Sequence, residues 1–473
     1  MAVLTPNSVF APGRKPPKSE IIQLLEQIAG GTAGIGDFRG KWDSGSTYVE
    51  KDYVESGGNI WYALRENTNV TPTEGADWTL LLPGLTPADE SVGLLQLAIT
   101  LRDVVTASVT NIFVKPTQNA PAFQIKSGSG GQVLQVKAGT KVEVNGTVHS
   151  FAVDTDLTLP SLTAGKDYAV FITTSGGAQA VLWDEDTVEL GAPNLPTAPS
   201  ANARMVGGFH YAPGGNATGY NTGGNTTAQI NPYSIWDDKY RPDCFDPRGM
   251  ALVGGRFWCD IYLLNTTHST RGTSRNGLAI AHGTVQPLIP AVYGGNGVTT
   301  YADFQWWRAV DVMSAHGKDL LSYGEFMMAA HGVIEEQTRS ALPVTTGLAT
   351  TNGVAANDAQ YTSQWGLINA MGAHWVWGRD LSYGIFEGGY NEPPDGTSIP
   401  GSALSVVPEY IDPGLGRGWL VQENVYATRA LLFGSKANNG VRGGSLCLDL
   451  ANGINTSSAS ISARGRANHR VLQ

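Results

Sequence analysis

The sequence predicts a mainly β protein with an α+β C-terminal domain, and three observations carry that expectation. Glycine is abundant, with 59 residues beside 25 prolines, which suits short strands joined by many turns. Charged residues make up 15% of the chain against about 25% in an ordinary globular protein, so long, charge-laced helices are not expected. Through the middle of the chain, apolar and polar residues alternate with period 2 between turn signals, as in "KVEVNGTVHSFAV", the pattern of half-buried strands. At 473 residues there is material for about three domains.

Bulk properties exclude several classes of function. A formal net charge of -10, with no cluster of Lys and Arg, argues against nucleic acid or an anionic membrane as partner, because both require concentrated positive charge. No apolar run reaches the ~18 residues of a membrane span. Cys244, Cys259 and Cys447 fit neither a disulfide framework nor a metal-ligand spacing and read as buried thiols. The eight histidines are scattered, and no HExxH helix, paired carboxylates or Ser/His/Asp arrangement stands out. No enzymatic activity, cofactor or metal site is therefore expected, although a structural Ca²⁺ held by backbone carbonyls leaves no signature to read. The opening "MAVLTPNSVFAPGRKPPKSE" lacks the apolar stretch of a secretory signal, which gives the expectation of a protein made in a cytoplasm and used soluble or assembled.

Residues 1–35 hold a Pro-rich lead and one amphipathic helix. Ser19 is its N-cap, Ile21, Leu24, Leu25 and Ile28 form its stripe, and Gly30-Gly31 is its stop. Nothing nearby offers that stripe a partner, so the segment reads as an attachment element, with local packing as the alternative. Residues 36–83 concentrate aromatics: Trp42, Tyr48, Tyr53, Trp61, Tyr62 and Trp78. Their order around the turn at 56–59 resembles the small chitin-binding-type carbohydrate-binding modules, in which exposed rings stack on sugars. That resemblance makes Trp42, Tyr48, Trp61, Tyr62 and Trp78 the candidate sugar-stacking residues. The same rings are also what so small a unit needs for a core, and a spacer role stays open beside sugar binding.

Residues 84–115 read as a helical stalk or linker. Thr86 caps it, Pro87 takes the first helical position, and Leu94, Leu97, Leu101 and Val104 fall on a heptad seam, as in a short homotrimer stalk. Residues 116–200 read as a β-sandwich. Within it Val142 and Val144, the pair Asn145-Gly146, then Val148 predict a two-residue hairpin of type I′.

From residue 201 the chain carries "GGFHYAPG", "GGNTTAQIN", "YSIWD", "DPRGM" and "DIYLL". These stretches resemble the phage major tropism determinants, the receptor-binding proteins at the tips of tail fibres in phages that diversify their host range through a retroelement. The resemblance runs from the sandwich to the last residue. It implies a virion tail-fibre protein that adsorbs to a bacterial surface receptor, protein or glycan, and joins a tail or baseplate protein through its N-terminus. It also implies a C-type lectin fold of the formylglycine-generating-enzyme variety for residues 201–473. Local patterns agree with a compact body: Trp306, Ala309, Val310 and Met313 make one helix stripe, Ser322 and Glu325 form a capping box, and Trp365, Trp375 and Trp377 read as a buried aromatic strand. Formylglycine-generating chemistry needs two nearby cysteines in the final segment, and only Cys447 is there.

Ala430, Leu432, Phe433, Gly434, Gly444, Ser445, Ala463, Arg464, Gly465, His469 and Leu472 stand where the family has its framework, and they set the register of the last segment. The solvent-facing positions carried over in that register are Lys436, Asn438, Asn439, Gly440, Arg442, Asp449, Ala451, Asn452, Thr456, Ser458, Ser460 and Ile461, the candidate receptor-binding residues. They are mostly small or polar and none is aromatic, so classical hot-spot anchors are few, which predicts polar recognition strengthened by avidity, about 10² to 10⁴ per linked engagement. A structural decoration role in the virion, or sugar binding through the aromatic module, is the alternative.

Overall fold

The computed structural model describes residues 38–57, 59–82, 112–348, 358–383, 404–406, 420–422, 428–440, 443–450 and 452–471. The N-terminal helix expected within 1–35, and the heptad seam of Leu94, Leu97, Leu101 and Val104, lie outside the described residues. The chain divides into two compact units, Met1–Val109 and Thr110–Gln473, and among the described residues β-strands dominate both, with few helices.

In the first unit Phe38–Lys41, Tyr53–Ser56, Asn59–Ala63 and Trp78–Leu82 form one sheet in that order, and Thr47–Tyr48 pairs with Asn67–Thr68. Period-2 alternation decides which side chains go inside. Val54 lies opposite Trp61, and Ala63 opposite Trp78, on the inner face, where Tyr48, Val54, Ala63 and Trp78 make the core. Tyr48 meets Trp78 edge to face at 5.3 Å between centroids, and the Trp78 indole donates to the Val70 carbonyl at 2.9 Å, so its polar atom is satisfied inside.

The second unit begins with strands that enclose a common core. Thr147–Ser150, Lys141–Val144 and Phe113–Val114 form one three-stranded sheet, while Thr155–Asp156, Leu134–Val136 and Phe123–Ile125 form another. The hairpin at Asn145-Gly146 is present: Val144 pairs with Thr147, and both turn residues have positive φ (49° and 80°), as a type I′ turn requires. Two expectations shift here. Phe113–Val114 is a strand paired with Lys141–Val142, so residues 112–115 belong to this core and not to a stalk. Nor does the sheet stop at residue 200. Arg204–Ala212 runs along Lys166–Ile172, and Val206, Phe209, Tyr211, Ile230 and Ile235 complete the same cluster as Phe123 and Val142.

That shared strand belongs to a ten-stranded sheet whose main path runs Ala178–Leu182, Lys166–Ile172, Arg204–Ala212, Trp236–Asp237, Tyr240–Pro242, Gly465–Val471, Phe257–Asp260, Met250–Val253. The last strand of the chain is thus interior to the sheet, paired on one side with Tyr240–Pro242 and on the other with Phe257–Cys259. A six-stranded sheet contains Trp375–Tyr383, Thr428–Phe433, Leu448–Asp449 and Ile461–Ser462. The helix Trp306–Ala315 buries Trp306, Ala309, Val312 and Met313, leaving Val310 at the edge of the stripe. The helix Tyr323–Ala330 opens with the Ser322–Glu325 capping box. Trp375 and Trp377 are buried on their strand, whereas Trp365 lies in the preceding turn, edge-on to Tyr233 at 4.9 Å.

One side chain joins these layers. Arg464 is 2% exposed and donates to four main-chain carbonyls: Asp260 and Ile261 at 2.7 Å through Nη1, and Ile368 and Asn369 at 2.8 and 3.0 Å through Nη2. Beside it, Asp260 holds Lys318 at 2.6 Å and accepts the Thr273 hydroxyl at 2.8 Å. Glycine at 465 keeps this approach open, because a Cβ there would stand 2.6 Å from Asp260 Oδ2 and 2.9 Å from Met313 Sδ and would force them to shift. Arg464→Met would leave these buried carbonyls without that donor and is expected to cost at least about 3 kcal/mol. Arg464→Lys, whose single ammonium cannot reach both pairs at once, should fall between. Denaturant midpoints of the three proteins check this, and equal midpoints would contradict it.

Candidate recognition surface

The stretch from Gly434 to Ser460 leaves the strand Thr428–Phe433 and returns through Ile461–Ser462 to Arg464. Its backbone is tied down along the way. Gly434 and Ser435 turn the chain with φ of 85° and 67°, and Asn439 Nδ2 donates to Ser435 Oγ at 2.8 Å. The Ala437 and Asn438 amides donate to the carbonyls of Ala373 and Arg339 at 3.0 and 2.8 Å, and the Gly440 amide to Thr338 Oγ1 at 2.9 Å. The Glu336 amide donates to the Gly443 carbonyl at 2.9 Å, the Ser445 amide to the Glu335 carboxyl at 2.9 Å, and the Tyr323 hydroxyl to the Leu446 carbonyl at 2.7 Å. Further on, the amides of Trp306, Gly283 and Trp375 donate to the carbonyls of Ile454, Ser458 and Ser460 at 3.2, 2.9 and 2.9 Å. Main-chain groups carry most of this network, so most outward side chains are left out of it.

The candidate residues separate accordingly. Asn438 and Gly440 are exposed, and Lys436, Asn439, Asn452, Thr456 and Ser458 are partly so. Asn452 Nδ2 donates to Asp449 Oδ2 at 2.9 Å. Three expected surface positions are buried instead. Asp449 lies in a strand opposite Leu432. Ser460 and Ile461 close the segment against the Trp375 strand, with Ile461 in the cluster of Trp375, Trp377 and Ala463. A sequence register places residues along the chain but not on one face of a sheet, which is why these three read as tips. Arg442 and Ala451 lie outside the described residues. Asn438 carries a further constraint: its φ of 67° is the left-handed region, where Asn and Gly are tolerated and most residues cost roughly 1–2 kcal/mol.

The aromatic module is corrected in a similar way. Tyr48 and Trp78 are 1% and 0% exposed and form the core, so neither presents a face to a sugar. Trp42 and Trp61 pack on that core from its margin. Tyr62 neighbours Trp61 on one strand and therefore faces the opposite side. The five rings do not form one platform.

Among the described residues, no group of three or more His, Cys, Asp or Glu is placed to hold a metal ion, and no helix is long and apolar enough to cross a membrane. Burial lifts the thiols of Cys244 and Cys259 to about 12, so they stay protonated and unreactive.

Comparison with known proteins agrees with this architecture. A "Tail fiber receptor-binding protein" of Bordetella phage BPP-1 is 40% identical over 369 residues, covering 77% of this chain and 86% of that protein. The chain belongs to the major tropism determinant family. The family model "Mtd second domain" matches residues 125–237, which includes the strand Arg204–Ala212. Among solved structures, the P3c and I1 variants of the major tropism determinant each align with a TM-score of 0.63 and 33% identity, over 92% of this chain and 100% of theirs. The M1 variant aligns with the same TM-score at 32% identity over 93% of this chain.

In this member of the family, Glu335 was not visible as a site residue from sequence, because its partner Ser445 is 110 residues away and no local pattern links them. Burial raises its carboxyl to about 7, the adjacent Glu336 adds to the rise, and the hydrogen bonds from Ser445 oppose it. A carboxyl raised on folding favours the native state fully below its unfolded value and loses that contribution as pH rises through the folded one. Glu335→Gln should therefore gain stability relative to the parent between about pH 4.5 and 7, by roughly 3 kcal/mol at the plateau. Melting curves of both proteins across that range check the sign, and a constant difference would contradict it.

Proposed function

We propose that this chain is the host-recognising protein of a phage tail fibre, and that the outward side chains of residues 436–458 touch a receptor on the bacterial surface. Membership of a family whose Bordetella phage relative is named a tail-fibre receptor-binding protein supports the role. The observation that carries the assignment of the surface is the main-chain network between Phe433 and Arg464, which fixes an irregular segment without using most of its side chains. We read residues 201–473 as a C-type lectin fold, residues 1–35 as the attachment to the particle, and the working form as a homotrimer. The heptad seam Leu94, Leu97, Leu101 and Val104 supports the last point. With Lys436, Asn438, Asn452, Thr456 and Ser458 as the available groups, contact is hydrogen-bonded and polar, and linked copies supply strength. The Bordetella phage relative carries a receptor-binding name, and burial keeps the Cys244 and Cys259 thiols protonated.

Purified, folded protein should compete with phage for adsorption to host cells. The double variant Lys436→Ala/Asn438→Gly keeps the left-handed backbone position while deleting both side chains. It should need about tenfold more protein for the same block, a loss typical of one strong interface residue. Parent protein that is folded and assembled yet blocks no adsorption would overturn the assignment.

A further inference from the structure

From Gly434 to the end of the chain there is no Phe, Tyr or Trp, although aromatic residues are the commonest anchors of protein recognition. A turn one residue removed from the segment supplies one. Gly219–Thr222 is a tight turn in which Thr222 Oγ1 donates to the Gly219 carbonyl at 2.9 Å and accepts the amides of Thr218 and Gly219 at 3.2 and 3.1 Å. Asn221, with φ 53°, accepts the Glu335 amide through Oδ1 at 2.8 Å. The same Glu335 accepts the Ser445 amide through its carboxyl, so one residue connects this turn to the C-terminal segment. The Gly223 amide donates to the Gly332 carbonyl at 2.8 Å and the Gly224 amide to the Ala359 carbonyl at 2.9 Å, fixing the turn from its other side.

Tyr220, partly exposed at the tip of this turn, has its ring 6.2 Å from that of His331, tilted by 35°. We propose that Tyr220, backed by His331 and tied through Asn221 and Glu335 to Ser445 of the C-terminal segment, is a fixed aromatic anchor of the receptor contact. This rests on the receptor-binding reading given above. The turn is pre-organised by hydrogen bonds within the fold, so ordering the ring adds little to the cost of binding. An anchor of this kind serves whatever residues the neighbouring segment carries, leaving it to tune specificity.

The test uses the full chain in adsorption competition on the strain the parent phage infects. Tyr220→Ala should need at least about fivefold more protein to block adsorption, with an unchanged melting temperature, and Tyr220→Phe should block nearly as well as the parent. Tyr220→Leu keeps apolar bulk against His331 but removes the ring, and should also be weak, which keeps the test decisive if Tyr220→Ala melts early. Blocking by folded Tyr220→Leu at the parent's concentration, while Lys436→Ala/Asn438→Gly remains weak, overturns the anchor and leaves the receptor-binding reading intact. No blocking by the parent overturns both.

Discussion

The four-carbonyl grip of Arg464 is the constraint on which the C-terminal half depends. A buried guanidinium is costly unless its donors are used, and here its hydrogen bonds reach two segments far apart in sequence, at residues 260–261 and 368–369. Immediately after it, Gly465 lets the chain pass close to Asp260 and enter the interior of the ten-stranded sheet. A C-terminal strand paired on both edges cannot fray without opening that sheet. The segment before it is therefore held at both ends, by Phe433 in one sheet and by Gly465 in the other.

Being held at the ends would not by itself order the stretch between. That follows from where its backbone bonds go: to Arg339, Ala373, Thr338, Glu335 and Trp375, all on neighbouring loops or strands. Because the partners are main-chain groups or side chains that belong to neighbouring loops, the outward side chains carry little of the stability, and a change in them is a surface change with small effect. The exceptions are local and physical. Asn438 and Gly440 occupy the left-handed region, Asn439 is tethered to Ser435, Asp449 accepts from Asn452, and the hydroxyls of Ser457 and Ser458 accept the amides of Phe304 and Ser460.

What was legible in the sequence was local. Asn145-Gly146 specified its hairpin through two positive φ angles, Ser322 and Glu325 specified a helix start, and glycine content with period-2 alternation specified a mainly β chain. The framework residues, read by resemblance, marked Arg464 and Gly465 correctly as fixed points. What failed required knowledge of distant pairing. Tyr48 and Trp78 were indistinguishable from exposed rings until the sheet placed them inside, and Ile461 counted as a tip until its parallel pairing with Trp375 was known. The break expected at residue 200 fell inside a sheet because Arg204–Ala212 pairs back onto Lys166–Ile172, a ladder no turn signal announces. Glu335 and Tyr220 carry no motif, and only the fold brings Glu335 to the C-terminal segment and the Tyr220 turn to Glu335.

The central claim is that stability resides in the framework and recognition in the outward side chains, and these can be measured together on one set of proteins. Variants randomised at Lys436 and Thr456 would be compared for melting temperature and for the bacterial strains they bind. The account predicts melting temperatures within a few degrees of the parent, as expected for surface changes below about 0.5 kcal/mol, together with an altered set of strains. Variants that melt far below the parent, or that fold normally and all bind the parent's strains equally well, would contradict it.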